Sequence, residues 1–516
     1  MKTETKDLIL FHTGSFLLSL LAGYLIWLQT SKYGIAISPD STTYIRWAET
    51  ISKEGWDFVI NNKNSTFPPF YPMVLSLVST LFHHDILIVT RWLNIVLFSV
   101  VSFLSLILCR KLTKNPVILF MFGLLVVFSK PMNLIFSFAW TEPLFIFILL
   151  LIIFLIEKTD YKHLVLCGFL TSLAILTRYA GIAIIPSVCL YVFIQKNDLS
   201  NKVKKCLAYA IIPTLTYIFY VARNYFFTGS FMGSRAPSKT GLISNFDRAF
   251  TTVTLWFSAQ YFFITAFLFL VLGAFFWNYK KDFISNILHE KKIVIFSACF
   301  SSVYSAFIVI SSTTTAYDLI NDRLMSPVFL PVLLIVLFIV TTVFYNKKEP
   351  ISSAVLLIFT VCFAFSSIKT IKEINYKKYN GAGGYATAFW QENKLLDYLN
   401  KHKEHFSGTL YSNNIWGFFI IDRNFNVSLI PSKKHINSTK FTGLTLENLP
   451  NKIPDLENSY LFLFNGMDRP EFFSLEELQS IYEMETIVTN SDGFIFKVKG
   501  IKSKLNSNED THRGGS

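Results

Sequence analysis

The chain has 516 residues, 52% of them hydrophobic and only 16% charged, and its mean hydropathy is +0.44. A soluble domain clothes its core in polar residues and is about 25% charged, so a cytosolic enzyme, a small disulfide scaffold and a disordered chain are excluded in favour of an integral membrane protein. The net charge of +13 would suggest nucleic acid in a soluble protein, but here it reads as the Lys and Arg that gather in cytoplasmic loops, and no nucleic-acid partner is expected.

A membrane-crossing helix needs about 20 apolar residues. Candidate spans lie at 8–29, 85–109, 116–130, 141–156, 163–177, 180–195, 207–222, 254–277, 293–311, 325–345 and 351–368, about eleven in all. The first is not a signal peptide, because no small-residue cleavage site follows Leu28. Placing the N-terminus in the cytoplasm puts the basic loops 110–114, 157–162, 196–205, 280–292 and 346–348 there, while the short opposite loops carry little more than Lys130, Arg178 and Arg323. This predicts a multi-pass protein of the plasma (inner) membrane whose C-terminal region lies outside. Segments 116–130, 163–177 and 180–195 are short. Either the bilayer thins there, or their connections at 130–141 and 178–180 dip below the outer surface to line a wet cavity.

The first outer loop, about 30–84, carries an amphipathic helix at 41–53, with Tyr44, Ile45, Trp47, Ala48 and Ile51 on one side. A turn bracketed by Pro68, Pro69 and Pro72, enclosing Tyr71, leads into a second short helix at 73–82. Both suit the membrane interface. Residues 223–253 read as a basic, polar outer loop. After Ser367 the pattern changes to a helix at 395–403, strands at 408–412 and 459–464, a helix at 476–482 and a hairpin at 487–499 turning on Ser491-Asp492-Gly493. The fold class is thus an α-helical polytopic membrane protein with interfacial helices and a small C-terminal extracytoplasmic α/β domain. The divisions are 1–368 transmembrane, 369–501 extracytoplasmic and 502–516 a polar, disordered tail. The six Cys lie in or at the ends of apolar segments, so no disulfide framework is expected.

Few residues can carry chemistry. Asp40, in Ser38-Pro39-Asp40-Ser41, reads as a helix cap or as a general base beside an outer cavity, and the two are compatible. Glu142 either begins a helix whose dipole favours it or is a second carboxylate in that cavity. Arg91, Arg178, Arg223 and Arg323 lie near outer helix ends. Singly each reads as an anchor or ion-pair partner, Arg323 with neighbouring Asp322. Together, with Lys130, they form a cationic face suited to a phosphate. His83-His84-Asp85 reads as a wet loop end, because adjacent His residues on a helix cannot both face one ion. There is no Walker A, HExxH, GxSxG or dinucleotide fingerprint.

The stretches SPDSTTYIRWAE (38–49), TFPPFYPMVLSL (66–77), AWTEPLF (139–145), LTRYAG (176–181), ARNYFFTG (222–229) and DRLMSP (322–327) resemble, in order and membrane side, the GT-C glycosyltransferases that use polyprenyl-phosphate-linked sugars. Protein O-mannosyltransferases and lipid A aminoarabinose transferases are of this kind. The resemblance covers roughly residues 8–345. It implies a membrane glycosyltransferase that moves a sugar from a lipid-phosphate donor to an acceptor glycan, lipid or protein at the outer face, with inversion. It implies Asp40 as the base, Glu142 as the acidic residue of the second outer loop, and Arg178, Arg223 and Arg323 at the lipid phosphate. Tyr44, on the first interfacial helix, and Tyr71, in the proline turn before the second, would frame the acceptor entrance. Asp40-Ser41 stands where many members have two carboxylates, and the sequence gives no support for a divalent metal. The rival functions are a lipid-linked glycan flippase or transporter, a glycan polymerase and a non-catalytic scaffold.

Overall fold

The computed structural model describes residues 2–62, 66–233, 235–257, 291–316, 318–345, 349–435, 438, 440–467 and 469–502. The helices, in chain order, are α1 (Lys2–Gln29), α2 (Pro39–Glu54), α3 (Trp56–Asn61), α4 (Phe70–Phe82), α5 (Ile86–Leu112), α6 (Pro116–Val127), α7 (Lys130–Ser137), α8 (Glu142–Ile156), α9 (Tyr161–Thr177), α10 (Ile184–Ile194), α11 (Leu199–Thr228), α12 (Leu242–Leu255), α13 (Lys292–Thr314), α14 (Asp322–Tyr345) and α15 (Glu349–Asn380). Short polar caps set several starts. Asp85, Asn115, Asp160 and Asp198 each accept a backbone N–H of the helix they precede.

Among the described residues, five helices are long and apolar enough to cross a membrane, and α6 with α7 forms a bent pair, 43° at the break, that passes the same test. Helices α4, α8 and α9, and the stretch Tyr179–Ile194, are apolar but shorter. The expected span 254–277 falls largely outside the described residues, as does the tail from 503 onward, so the described residues leave the count of eleven open. The region expected as a loop at 223–253 is in good part helical, because α11 runs on to a left-handed Gly229 cap and α12 follows.

Helix α8 is hydrophobic all round and buries Leu144, Phe145, Ile148, Leu149, Ile152 and Ile153, as a helix enclosed by others must. It packs against α5, α7, α9, α13 and α14. It is therefore the central post of the bundle, and its first residue is Glu142. By contrast α11 exposes Ile211, Leu215, Ile218 and Phe219, a face that water would not tolerate and lipid does.

The C-terminal domain is a five-stranded sheet built from β1 (Leu410–Ser412), β2 (Ser428–Leu429), β3 (Tyr460–Phe464), β4 (Tyr482–Asn490) and β5 (Gly493–Ile501), in the order β2-β1-β3-β5-β4. Strand β1 is parallel to β2 and β3, and β5 is antiparallel to β3 and β4. Helices α16 (Lys394–Lys401) and α17 (Leu475–Ile481) accompany it. The expected strands, helices and hairpin appear near their expected bounds, and the two-residue β2 was not legible. The domain grips the bundle through Arg423, which pairs with Glu49 and, at 2.8 Å, with Asp85, and through Ser438, whose hydroxyl donates to the Pro237 carbonyl at 3.0 Å.

Candidate active site

Two chain segments meet where α2 and α8 begin. Ala36 and Phe138 form a parallel bridge, with the Ala36 N–H donating to Ser137 and the Ala139 N–H to Ala36, both at 2.9 Å. This holds the residues before Asp40 beside those before Glu142, although about a hundred positions separate them in sequence.

The cap of α2 is Ser38, not Asp40. Ser38 is extended (φ −108°, ψ 173°) and its hydroxyl accepts from the Ser41 N–H, while the Ser41 hydroxyl accepts from the Ser38 N–H at 3.0 Å. This is a reciprocal capping box, with Pro39 at the first helical position. Trp140 steadies it by donating its indole N–H to the Ser38 hydroxyl at 2.7 Å. The Asp40 carboxylate, in the first turn, is thereby released from capping and meets Nη2 of Arg323 at 2.7 Å.

Arg323 in turn holds Glu142, Nε to Oε1 at 2.8 Å, and Glu142 also pairs with Arg178. Glu142 has no exposed surface, while the Asp40 side chain is 32% exposed. An isolated buried carboxylate is strongly disfavoured, and two guanidinium partners offset that cost. The Arg323 guanidinium also lies 4.4 Å over the Trp140 ring, which stacks on Phe138 with centroids 4.0 Å apart. The four charges Asp40, Glu142, Arg178 and Arg323 thus form one neutral chain of alternating sign.

A cavity of about 310 Å³ opens on this cluster. Asp40, Tyr44, Arg178 and Arg323 line it, with Arg235 from the connection between α11 and α12 and Asp318 from that between α13 and α14. Tyr44 is nearly buried. Burial, and then the charge of Asp40, push its phenol above the ordinary value of 10.0, so it is a neutral hydrogen-bonding group and not a base. Desolvation by the surrounding protein, and then Asp40, raise the Asp318 carboxyl above its ordinary 3.8.

No family model matches the sequence, and no curated protein is similar to it in sequence. Solved structures are similar in fold. ArnT from Cupriavidus metallidurans matches at 10% identity with a TM-score of 0.58, covering 94% of this chain and 98% of that one. The same protein bound to undecaprenyl phosphate matches at 11% identity and a TM-score of 0.55, covering 96% and 99%. The archaeal oligosaccharyltransferase AglB from Archaeoglobus fulgidus, in complex with an inhibitory peptide and a dolichol-phosphate, matches at 10% identity and 0.56, covering 95% of this chain and 74% of that one. The fold is GT-C.

Within this GT-C fold the expected residues separate. Asp40, Arg178, Arg323 and Tyr44 come together on the cavity. Glu142, expected as a second carboxylate in the cavity, lies behind the two arginines and is absent from its lining, because its charge is buried against theirs. Tyr71, expected at the entrance, is fully buried behind Tyr44, ring edge to ring at 5.5 Å, and its hydroxyl has no hydrogen-bond partner among the described residues. The proline turn sends Tyr71 inward as α4 packs on α2. Arg223 binds the carbonyls of Val59, Ile60 and Asn62 at the end of α3, satisfying the acceptors a helix end leaves open. Arg91 ties α5 to the end of α1, at Thr30 (2.9 Å) and Trp27 (3.2 Å), and lines a separate cavity. Lys130 pairs with Asp322 at 2.5 Å, and Trp256 donates to the same carboxylate at 2.8 Å, so Asp322 is not the partner of Arg323. Sequence reasoning missed Arg235 and Asp318. The signal for Asp318 was its position in a polar connection five residues before Arg323; Arg235 sat in the stretch already noted as basic. Among the described residues, no three His, Cys, Asp or Glu side chains converge as a metal site would require.

Proposed function

We propose that this chain is an inverting glycosyltransferase that moves a sugar from a polyprenyl-phosphate donor to an acceptor hydroxyl or amine at the outer face of the membrane. The observation that carries the reading is the Asp40 carboxylate, released from capping by Ser38, open to the cavity and 2.7 Å from a guanidinium. In the resting cluster Arg323 is neutralised by Asp40 and Glu142. The donor phosphate competes with Asp40 for that guanidinium, with Arg178 beside it. Asp40 is then free to take the acceptor's proton as the acceptor oxygen or nitrogen attacks the anomeric carbon. The bond from that carbon to the phosphate oxygen breaks, and the arginines stabilise the charge on the departing lipid phosphate. One displacement inverts the anomeric centre. The GT-C fold, and neighbours that bind undecaprenyl phosphate and dolichol-phosphate, support a lipid-linked donor.

Purified chain in lipid nanodiscs, given a polyprenyl-phosphate sugar and an extract of cell-envelope acceptors, should yield a product detectable by mass spectrometry. Asp40→Asn should lower the rate by roughly 100-fold or more while polyprenyl phosphate still binds. Full transfer by that variant would overturn the assignment of Asp40.

A further inference from the structure

The segment Gly381-Ala382-Gly383-Gly384, which follows α15 and opens the C-terminal domain, takes no part in the chemistry above. A glycine-rich join between two domains is ordinarily a flexible spacer. This one is not, since Ala382 and Ala386 are fully buried and Tyr385 nearly so. Gly383 (φ +140°) and Gly384 (φ +54°) occupy backbone conformations that L side chains rarely adopt. A Cβ on Gly384 would lie 1.9 Å from the Ile37 carbonyl oxygen, and one on Gly383 would lie 2.7 Å from Cζ of Phe138. These glycines permit close approach to two segments of the bundle.

Both segments lead to the reacting cluster. Along the backbone, Gly384 bridges Ile37 and the Tyr385 N–H donates to the Ile37 carbonyl at 2.9 Å. Ile37 immediately precedes the Ser38 cap and lies three residues before Asp40. Through side chains, Gly383 and Gly384 abut the Phe138 ring. Phe138 stacks on Trp140, which bonds Ser38 and carries the Arg323 guanidinium on its face. The two routes start at adjacent glycines and converge on the Asp40–Arg323 contact. On its other side the segment is fixed to the sheet: the Tyr385 hydroxyl donates to Asn414 at 2.9 Å, its ring packs on Trp390, and Trp390 packs on Phe464 of β3.

We propose that residues 381–385 are a positioning element through which the C-terminal domain sets the relative placement of Asp40 and Arg323. For its kinetic test this rests on the proposed transfer reaction; a second test does not. Both use the full chain in lipid nanodiscs. Gly384→Ala is compared with Gly443→Ala, a glycine of the same domain with φ +81° and open space around its missing Cβ. Gly384→Ala should lower kcat about tenfold or more, with donor and acceptor KM changed by less than about twofold, and Gly443→Ala should leave kcat unchanged. Separately, the Asp40→Cys variant is labelled with a water-soluble methanethiosulfonate. Adding Gly384→Ala should change the labelling rate by about threefold or more as the loop moves.

A folded Gly384→Ala chain with unchanged kcat, and an unchanged labelling rate when the substitution is combined with Asp40→Cys, would overturn the proposal. So would a loss of activity that merely tracks the folded fraction. Should Gly384→Ala not fold, Gly383→Ala, strained at the same kind of φ but meeting the Phe138 side chain and no backbone atom under 3.0 Å, serves in its place. If the wild-type chain transfers no sugar, the proposed function fails, and the labelling rates alone decide the positioning role.

Discussion

Arg323 meets Asp40 through Nη2 at 2.7 Å and keeps its Nε for Glu142. One planar guanidinium therefore joins a carboxylate open to the cavity to one sealed in the bundle. A lysine carries the same charge but has no fork, so Arg323→Lys can hold one carboxylate well and not both. The expected result is a fall in kcat of roughly 100-fold with the chain still folded, read from initial rates in nanodiscs and a thermal midpoint on the same sample. Unaltered kcat in a folded Arg323→Lys chain would show that the fork is dispensable.

Glu142 is a positioning residue in this arrangement, and its removal tests the charge balance. Glu142→Gln leaves Arg178 and Arg323 facing each other with only Asp40 to offset them. Breaking a buried pair from one side costs about 3–5 kcal/mol. Removing Arg178 as well restores neutrality, since Asp40 and Arg323 then pair alone. Glu142→Gln with Arg178→Gln should therefore unfold at a higher temperature than Glu142→Gln does, with a coupling of about 1–3 kcal/mol. Additive losses would mean that the two side chains stabilise the bundle independently.

Hydropathy and charge made the helical membrane fold legible, because a 3.6-residue period is unnecessary where every face is apolar and length alone marks a span. The helix 41–53 and the hairpin at 487–499 were legible for the opposite reason, a clear amphipathic period in one and a turn triplet in the other. Asp40 and Arg323 stood out because a chain with 16% charged residues spends few of them near apolar segments. What the sequence could not show was partnership. Asp322 is adjacent to Arg323 in sequence but points to Lys130, since neighbours on a helix face different ways. Arg91 and Arg223 share their residue type and helix-end location with Arg178, and only the packing decides that they close helix ends instead. The Ser38 cap was hidden behind Asp40 because both residue types cap helices well.

Ser38→Ala removes the hydroxyl that caps α2 and receives the Trp140 indole N–H. Loss of a cap costs about 1 kcal/mol. The larger effect is expected in the rate, because Asp40, the acidic residue of the first turn, is then drawn to the N–H groups left open. Capping by Asp40 draws its carboxylate away from Arg323 and the cavity. The expectation is a modest fall in thermal midpoint with a disproportionate fall in kcat, and Ser38→Thr, which retains the hydroxyl, should recover most of the rate. Equal losses in Ser38→Ala and Ser38→Thr would remove the cap from the explanation.

Asp318 faces the same cavity as Asp40, and its carboxyl is raised above 3.8 by desolvation and by the Asp40 charge. The sign of its effect on stability follows from that direction. A carboxyl whose folded value lies above its unfolded value takes a proton more readily when folded, so folding is relatively favoured at low pH and penalised once the group ionises. Ionised Asp318 therefore carries a cost in the folded chain. Asp318→Asn removes that cost. Its thermal midpoint should equal or exceed that of the wild type at pH 7, and the difference should shrink as the pH falls through the raised folded value towards 3.8 and be largely gone below 3.8. Transfer should fall if the carboxylate contacts the acceptor or the sugar, and the KM affected identifies which. A midpoint lower than wild type at pH 7 would show that ionised Asp318 has a stabilising partner and would reverse the sign.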